Sequence, residues 1–194
     1  NDVVECGNFE AKLHNIPPQN IPLDIIYEDE NMLVVNKPSG MLTHPTTTEK
    51  ENTLVNALKY RYGENLSDIN GEFRRGILNR LDRNTSGLLM VAKNNQTHEF
   101  LANQIKEKTA IRKYLAVVRG VITEDKVLNF PIGRHKTKPQ KMDVIFDEKG
   151  KPSITEMRVL ENFTDATLVE LTLRTGRTHQ IRVHMSHIGH PVYN

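Results

Sequence analysis

Hydrophobic positions along this chain change period several times. Two short apolar clusters come first, Ile25-Ile26-Tyr27 and Met32-Leu33-Val34-Val35, separated by the polar residues 28–31. That pattern predicts two strands joined by a turn. Residues 53–62 read as a short helix and residues 88–92 as a buried strand. Over 96–107 the pattern predicts an amphipathic helix with Phe100, Leu101, Gln104 and Ile105 grouped on one side. The second half is richer in strands, predicted over 111–118, 154–160 and 168–173. In the last of these, Val169, Leu171 and Leu173 alternate with Glu170, Thr172 and Arg174, the period of a half-buried strand. From Thr178 onward Ile181, Met185 and Ile188 recur at helical spacing, and Gly189 followed by Pro191 supplies a stop. With no internal repeat, this mixture predicts an α+β domain around a largely antiparallel sheet.

Size and charge add to that picture. A chain of 194 residues with 37% hydrophobic content can bury one core. The single cysteine, Cys6, has no partner for an internal disulfide, and a cytoplasmic setting is expected. No apolar run approaches the length that spans a bilayer, so no membrane association is expected. The net charge of +2 hides an asymmetry: residues 1–30 hold seven acids against Lys12, so the remainder carries the positive excess. It gathers around Arg74 to Arg83, Lys106 to Lys113, Arg134 to Lys141 and Arg174 to Arg182. Such clusters suit a polyanion if they converge, although composition alone favours solvated faces.

The densest candidate chemistry lies in Asn79-Arg80-Leu81-Asp82-Arg83-Asn84-Thr85-Ser86-Gly87. This polar stretch directly precedes an apolar strand, which places Arg80 and Asp82 on a loop braced by a rigid element. Taken alone, an aspartate between two arginines is more often a surface ion pair than a nucleophile, and Thr85-Ser86-Gly87 more often a turn than a phosphate cradle.

Three blocks in order resemble the RluA family of pseudouridine synthases. The central one is the segment just described, leading into Leu88-Leu89-Met90-Val91-Ala92-Lys93. An opening block runs from Tyr27 through Asn36-Lys37-Pro38-Ser39-Gly40 to His44-Pro45. A closing block is Thr175-Gly176-Arg177-Thr178-His179-Gln180-Ile181-Arg182-Val183-His184, followed by Gly189-His190-Pro191. The agreement covers residues 25–194. It departs at Asn79, where the family more often has histidine, a change that bears on substrate positioning rather than on the chemistry. It also stops at Asn194, within a region through which such enzymes normally continue.

The resemblance implies a pseudouridine synthase catalytic domain over 23–194, a largely antiparallel mixed sheet flanked by helices with a central active-site cleft. Residues 1–22, acidic and proline-bearing, are expected to be a linker and the trailing edge of an N-terminal S4-like RNA-binding domain. The implied reaction is isomerisation of uridine in RNA, ribosomal RNA ahead of transfer RNA, with no cofactor and no metal. Asp82 would be the essential carboxylate, Arg182 its partner, Arg80 the residue filling the gap left by a flipped base, and Tyr114 the aromatic stacked on uracil. Arg177, Lys113, Thr85 and Ile181 are expected to contact substrate, and a monomer is expected to suffice.

Two rivals come from other classes. A metal-dependent hydrolase is suggested by His179, His184, His187 and His190, but the first pair is five apart and no carboxylate lies among them. A non-catalytic RNA-binding module would account for the basic clusters. It would gain nothing from a carboxylate inside its most basic segment.

Overall fold

The turn predicted over 28–31 is closed by Asp29, whose carboxylate accepts from the backbone N–H groups of Asn31 (2.8 Å) and Met32 (2.7 Å). It joins β1 (Ile25–Glu28) to β2 (Met32–Lys37), and β2 pairs with β3 (Gly87–Ala92), both pairings antiparallel. The computed structural model describes residues 16–138 and 140–193. They fall into two compact units divided between Glu99 and Phe100.

In the first unit, β2 alternates strictly, with Leu33, Val35 and Lys37 buried and their neighbours partly exposed. The predicted short helix is α1 (Leu54–Tyr62), and its start is fixed by a capping box. Thr53 Oγ1 accepts from the Asn56 N–H, and Asn56 Oδ1 accepts from the Thr53 N–H (3.1 Å). Asn56 also donates to the Pro17 carbonyl (2.8 Å), the Gln19 N–H donates to the Asn56 carbonyl (3.1 Å), and Ile16 is buried. The start of the expected linker, Ile16 to Gln19, is therefore anchored to α1, while Pro18, Asn20 and Pro22 are exposed. The rest of the expected linker, 1–15, lies outside the described residues.

The amphipathic helix is α2 (Asn95–Glu107). Its expected face needs correcting: Phe100 is 62% exposed, whereas His98 and Leu101 are buried. At about 100° per residue, Phe100 stands roughly 200° from His98 and belongs to the opposite side.

In the second unit, β4 (Lys113–Arg119), β5 (Lys126–Asn129), β8 (Ile154–Asn162) and β9 (Ala166–Leu173) form an antiparallel sheet in the order β4-β9-β8-β5. β6 (Ile132–Arg134) and β7 (Met142–Val144) make a separate hairpin. One sheet face packs on α3 (Gln180–His187) around Val118, Leu128, Met157, Val169, Leu171 and Met185. The α+β class with antiparallel sheets is as predicted. No strand was predicted at β5, β6 or β7, which have three or four residues and too few apolar positions to establish a period. Among the described residues no helix is long and apolar enough to cross a membrane.

Candidate active site

Asp82 sits on a loop that both its own strand and the opening block hold in place. Ahead of the loop, Ile77 bridges to Val91 of β3 in antiparallel register, so 79–86 connects two neighbouring extended segments. The approach at its base is close enough to require glycine. Gly76 has φ +69°, and a Cβ there would stand 2.7 Å from the Ala92 carbonyl oxygen. Within the loop the Thr85 N–H donates to the Asp82 carbonyl (3.0 Å), forming a turn, and Leu81 is buried.

The opening block clamps the loop from the side. Thr43 Oγ1 donates to the Leu81 carbonyl (2.8 Å) and accepts from the Leu81 N–H (3.3 Å). The Gly40 N–H donates to the Arg83 carbonyl (2.8 Å). Lys37, with 0% exposure, donates from its ammonium to the carbonyls of Pro38 (2.7 Å), Met41 (2.8 Å) and Arg83 (3.2 Å). Burial pushes the Lys37 pKa down, and the nearby Asp82 carboxylate opposes that shift. A buried cation thus ties down the loop and faces the candidate nucleophile. The sequence reading gave Lys37 no role. Its signal was available: extending the β2 alternation by two residues places Lys37 on the same face as Leu33 and Val35.

His44 follows the Thr43 clamp. Burial, then the charges of Arg80 and Arg74, lower its pKa to about 4, so the imidazole is neutral near pH 7. Its Nδ1 is buried without a hydrogen-bond partner, as is Oδ1 of Asn79. His44 belongs to the opening block with no role attached, and Asn79 marks the one departure from the central block. Arg80 is exposed, and Arg83 forms an ion pair with Glu49.

The other predicted site residues lie in the second unit. Tyr114 and Ile181 both pack against the hydrophobic core on the α3 side of the sheet. Lys113 is exposed and pairs with Glu170 (2.9 Å), and strand alternation directs it to the opposite face from Tyr114. Arg177 donates from Nε to the Pro152 carbonyl (3.3 Å). Arg182 lies on α3 beside a concavity of about 410 Å³ that also involves Lys141, Asp143 and His187.

The position of α3 is fixed by buried polar contacts. Gln180 Oε1 accepts from Thr175 Oγ1 (2.8 Å) and the Arg177 N–H (3.0 Å), while Nε2 donates to the Ile154 carbonyl (3.0 Å) and Thr155 Oγ1 (2.9 Å). One turn on, His184 uses Nδ1 toward Thr155 Oγ1 and Nε2 toward the Phe130 carbonyl, each at 3.0 Å. Both ring nitrogens of this histidine are therefore engaged by protein. Among the described residues no group of three or more His, Cys, Asp or Glu side chains is disposed to hold a metal.

Comparison with known proteins agrees with the blocks read from the sequence. Residues 31–187 match the family described as RNA pseudouridylate synthase. The chain is 51% identical over 184 residues to an uncharacterized RNA pseudouridine synthase of Bacillus subtilis, covering 94% of this chain and 60% of that protein. It is 46% identical over 199 residues to ribosomal large subunit pseudouridine synthase D of Zymomonas mobilis, covering 98% and 62%. Among solved structures, human RNA pseudouridylate synthase domain containing 1 superposes with a TM-score of 0.71 at 32% identity, covering 91% of this chain and 69% of that one. The chain thus spans about three fifths of the length of these bacterial relatives.

Proposed function

Because the chain belongs to the RNA pseudouridylate synthase family, we propose that it isomerises uridine to pseudouridine in RNA, with ribosomal RNA as the substrate. The observation that carries this reading is Asp82, a carboxylate on a loop clamped by Thr43 and Lys37 within the matched region. The ribosomal assignment is supported by relatives named ribosomal large subunit pseudouridine synthase D.

The reaction breaks the bond from uracil N1 to C1′, turns the base, and joins C5 to C1′. The proton lost from C5 is balanced by one gained at N1, so no redox partner is required and no cofactor is proposed. Asp82 serves by adding to C1′ or by taking a proton from C2′, and both routes need the ionised carboxylate. Arg182 is proposed to keep that carboxylate ionised beside RNA phosphates. Arg80, a planar cation that can stack and hydrogen-bond, fills the place of the base once it leaves the helix. Tyr114 stacks on the uracil, and Thr85, Arg177 and Ile181 contact the substrate. Lys113 is proposed as an RNA contact on the outer sheet face. Residues 23–194 would form the catalytic domain, with Ile16 to Gln19 packed on α1 of it, working as a monomer in the cytoplasm.

Tritium release from RNA labelled at uracil C5 tests this reading. Asp82→Asn is expected to retain the fold and RNA binding while releasing no tritium above background. Comparable turnover by the variant would remove the assignment. Mapping pseudouridines in ribosomal RNA from a strain lacking the protein identifies the target.

A further inference from the structure

Two residues beyond β7 the chain presents an aromatic side chain that its own fold does not need. Phe146 is 74% exposed, yet its backbone is firmly placed. The preceding Ile145 is buried and its N–H donates to the Pro131 carbonyl (2.8 Å), and Asp147 closes the next turn through the Lys149 and Gly150 N–H groups. A single exposed aromatic is ordinary on a protein surface. This one is the outer member of a row: its ring lies 6.2 Å from His187, which lies 4.6 Å from Phe130.

Two further features converge on the same place. His187 also borders the concavity of about 410 Å³ between β7 and α3, whose wall includes Lys141, Met142 and Arg182. That volume lies within the range of small-ligand sites. The hairpin carries Arg134, Lys136, Lys138 and Lys141 within eight residues. Lys136 is tied to Asp147 (3.3 Å) and Asp143 lies in the wall, so the positive excess is modest. It is enough for one phosphate and too little to track a duplex.

We infer that this surface holds one unpaired RNA nucleotide, with its base stacked against Phe146 at the end of the aromatic row and its phosphate at Lys141. The inference rests on the RNA-modifying reading and extends it to a further contact beyond Asp82 and Arg80, on a surface whose far wall is Arg182. Stacking on an aromatic tolerates any base, whereas a base already paired in a helix cannot offer its face. The site therefore selects for unpaired structure rather than for sequence.

The test uses the full chain and a short oligouridylate carrying one 2-aminopurine, with an RNA duplex of equal length as control. Phe146→Ala should weaken oligouridylate binding about tenfold and abolish the quenching of 2-aminopurine. Phe146→Trp should retain both, and duplex binding should be unchanged throughout. Lys141→Gln should lower the magnitude of the log–log salt slope by about 0.7. Matching melting temperatures exclude misfolding, since Phe146 is exposed. If wild type binds the oligonucleotide and Phe146→Ala binds and quenches equally, this inference alone is overturned. If wild type neither binds RNA nor releases tritium, the proposed function falls and this inference with it.

Discussion

Both units hold buried polar groups that are fully partnered, but among the described residues the buried polar atoms with no partner lie in the first. In the second, Gln180 has a partner for each of its four hydrogen-bonding positions and His184 has one for each ring nitrogen. In the first, His44 Nδ1, Asn79 Oδ1 and His98 Nδ1 are buried with none. A satisfied buried network rigidifies and specifies a unique packing, while an unsatisfied group carries a cost that folding alone does not explain. The Gln180 network fixes a helix. The open atoms of His44 and Asn79 adjoin the Asp82 loop, where hydrogen-bonding capacity remains for an incoming group.

The largest effect is expected at Lys37, a fully partnered buried group of the first unit. Lys37→Met removes the donor to three carbonyls and should cost about 3–4 kcal/mol, at about 1 kcal/mol or more for each orphaned acceptor. Urea denaturation measures it, and a loss below about 1 kcal/mol would mean that the ammonium does not brace the loop.

Next comes His44. Its folded pKa of about 4 lies below the unfolded value near 6.5, so the unfolded chain takes up the proton first. Stability should fall as pH drops from about 6.5 toward 4, by up to about 3 kcal/mol from this residue. Burial lowers the pKa of His98 and His184 as well, so wild type must be compared with His44→Gln, which keeps those two contributions. Parallel declines for the two proteins would contradict a neutral, half-buried His44.

Gln180→Leu should cost about 2–3 kcal/mol, because it strands partners in β8 and in the loop ahead of α3. Gln180→Glu should recover only part, since Glu cannot donate to the Ile154 carbonyl. Asn79→Leu marks the opposite extreme. With no partner at Oδ1 to lose, stability should stay within about 1 kcal/mol while KM for RNA rises. Destabilisation beyond about 2 kcal/mol would make Asn79 a structural residue instead.

Legibility in the sequence follows the same physical division. The long alternating strand β9 and the helices α1 and α2 were readable within two residues, because each carries a clear period or cap. Asp82 was readable as a loop residue from chemistry and position, and as a catalytic candidate only through the family blocks. His44 and Lys37 stood inside those blocks without a role, since single-residue chemistry does not reveal that a lysine will be enclosed by backbone carbonyls. β5 to β7 left no period to read. Phe100 misled because it is a large apolar residue on a helix whose buried side is formed partly by His98.

The clamp on the Asp82 loop also has a consequence for the order of folding. Thr43 and Leu81 are 38 residues apart, and Lys37 and Arg83 are 46 apart. Contacts of that separation form only after a long stretch of chain has closed, at an entropic cost that local turns such as the one at Asp29 avoid. The Asp82 loop should thus be among the last parts of its unit to become ordered, even though β1 and β2 can pair early. In pulse-labelling hydrogen exchange, the Leu81 and Gly40 amides should acquire protection together, after Met32. Competence would then arrive as a late, single event rather than growing with the sheet.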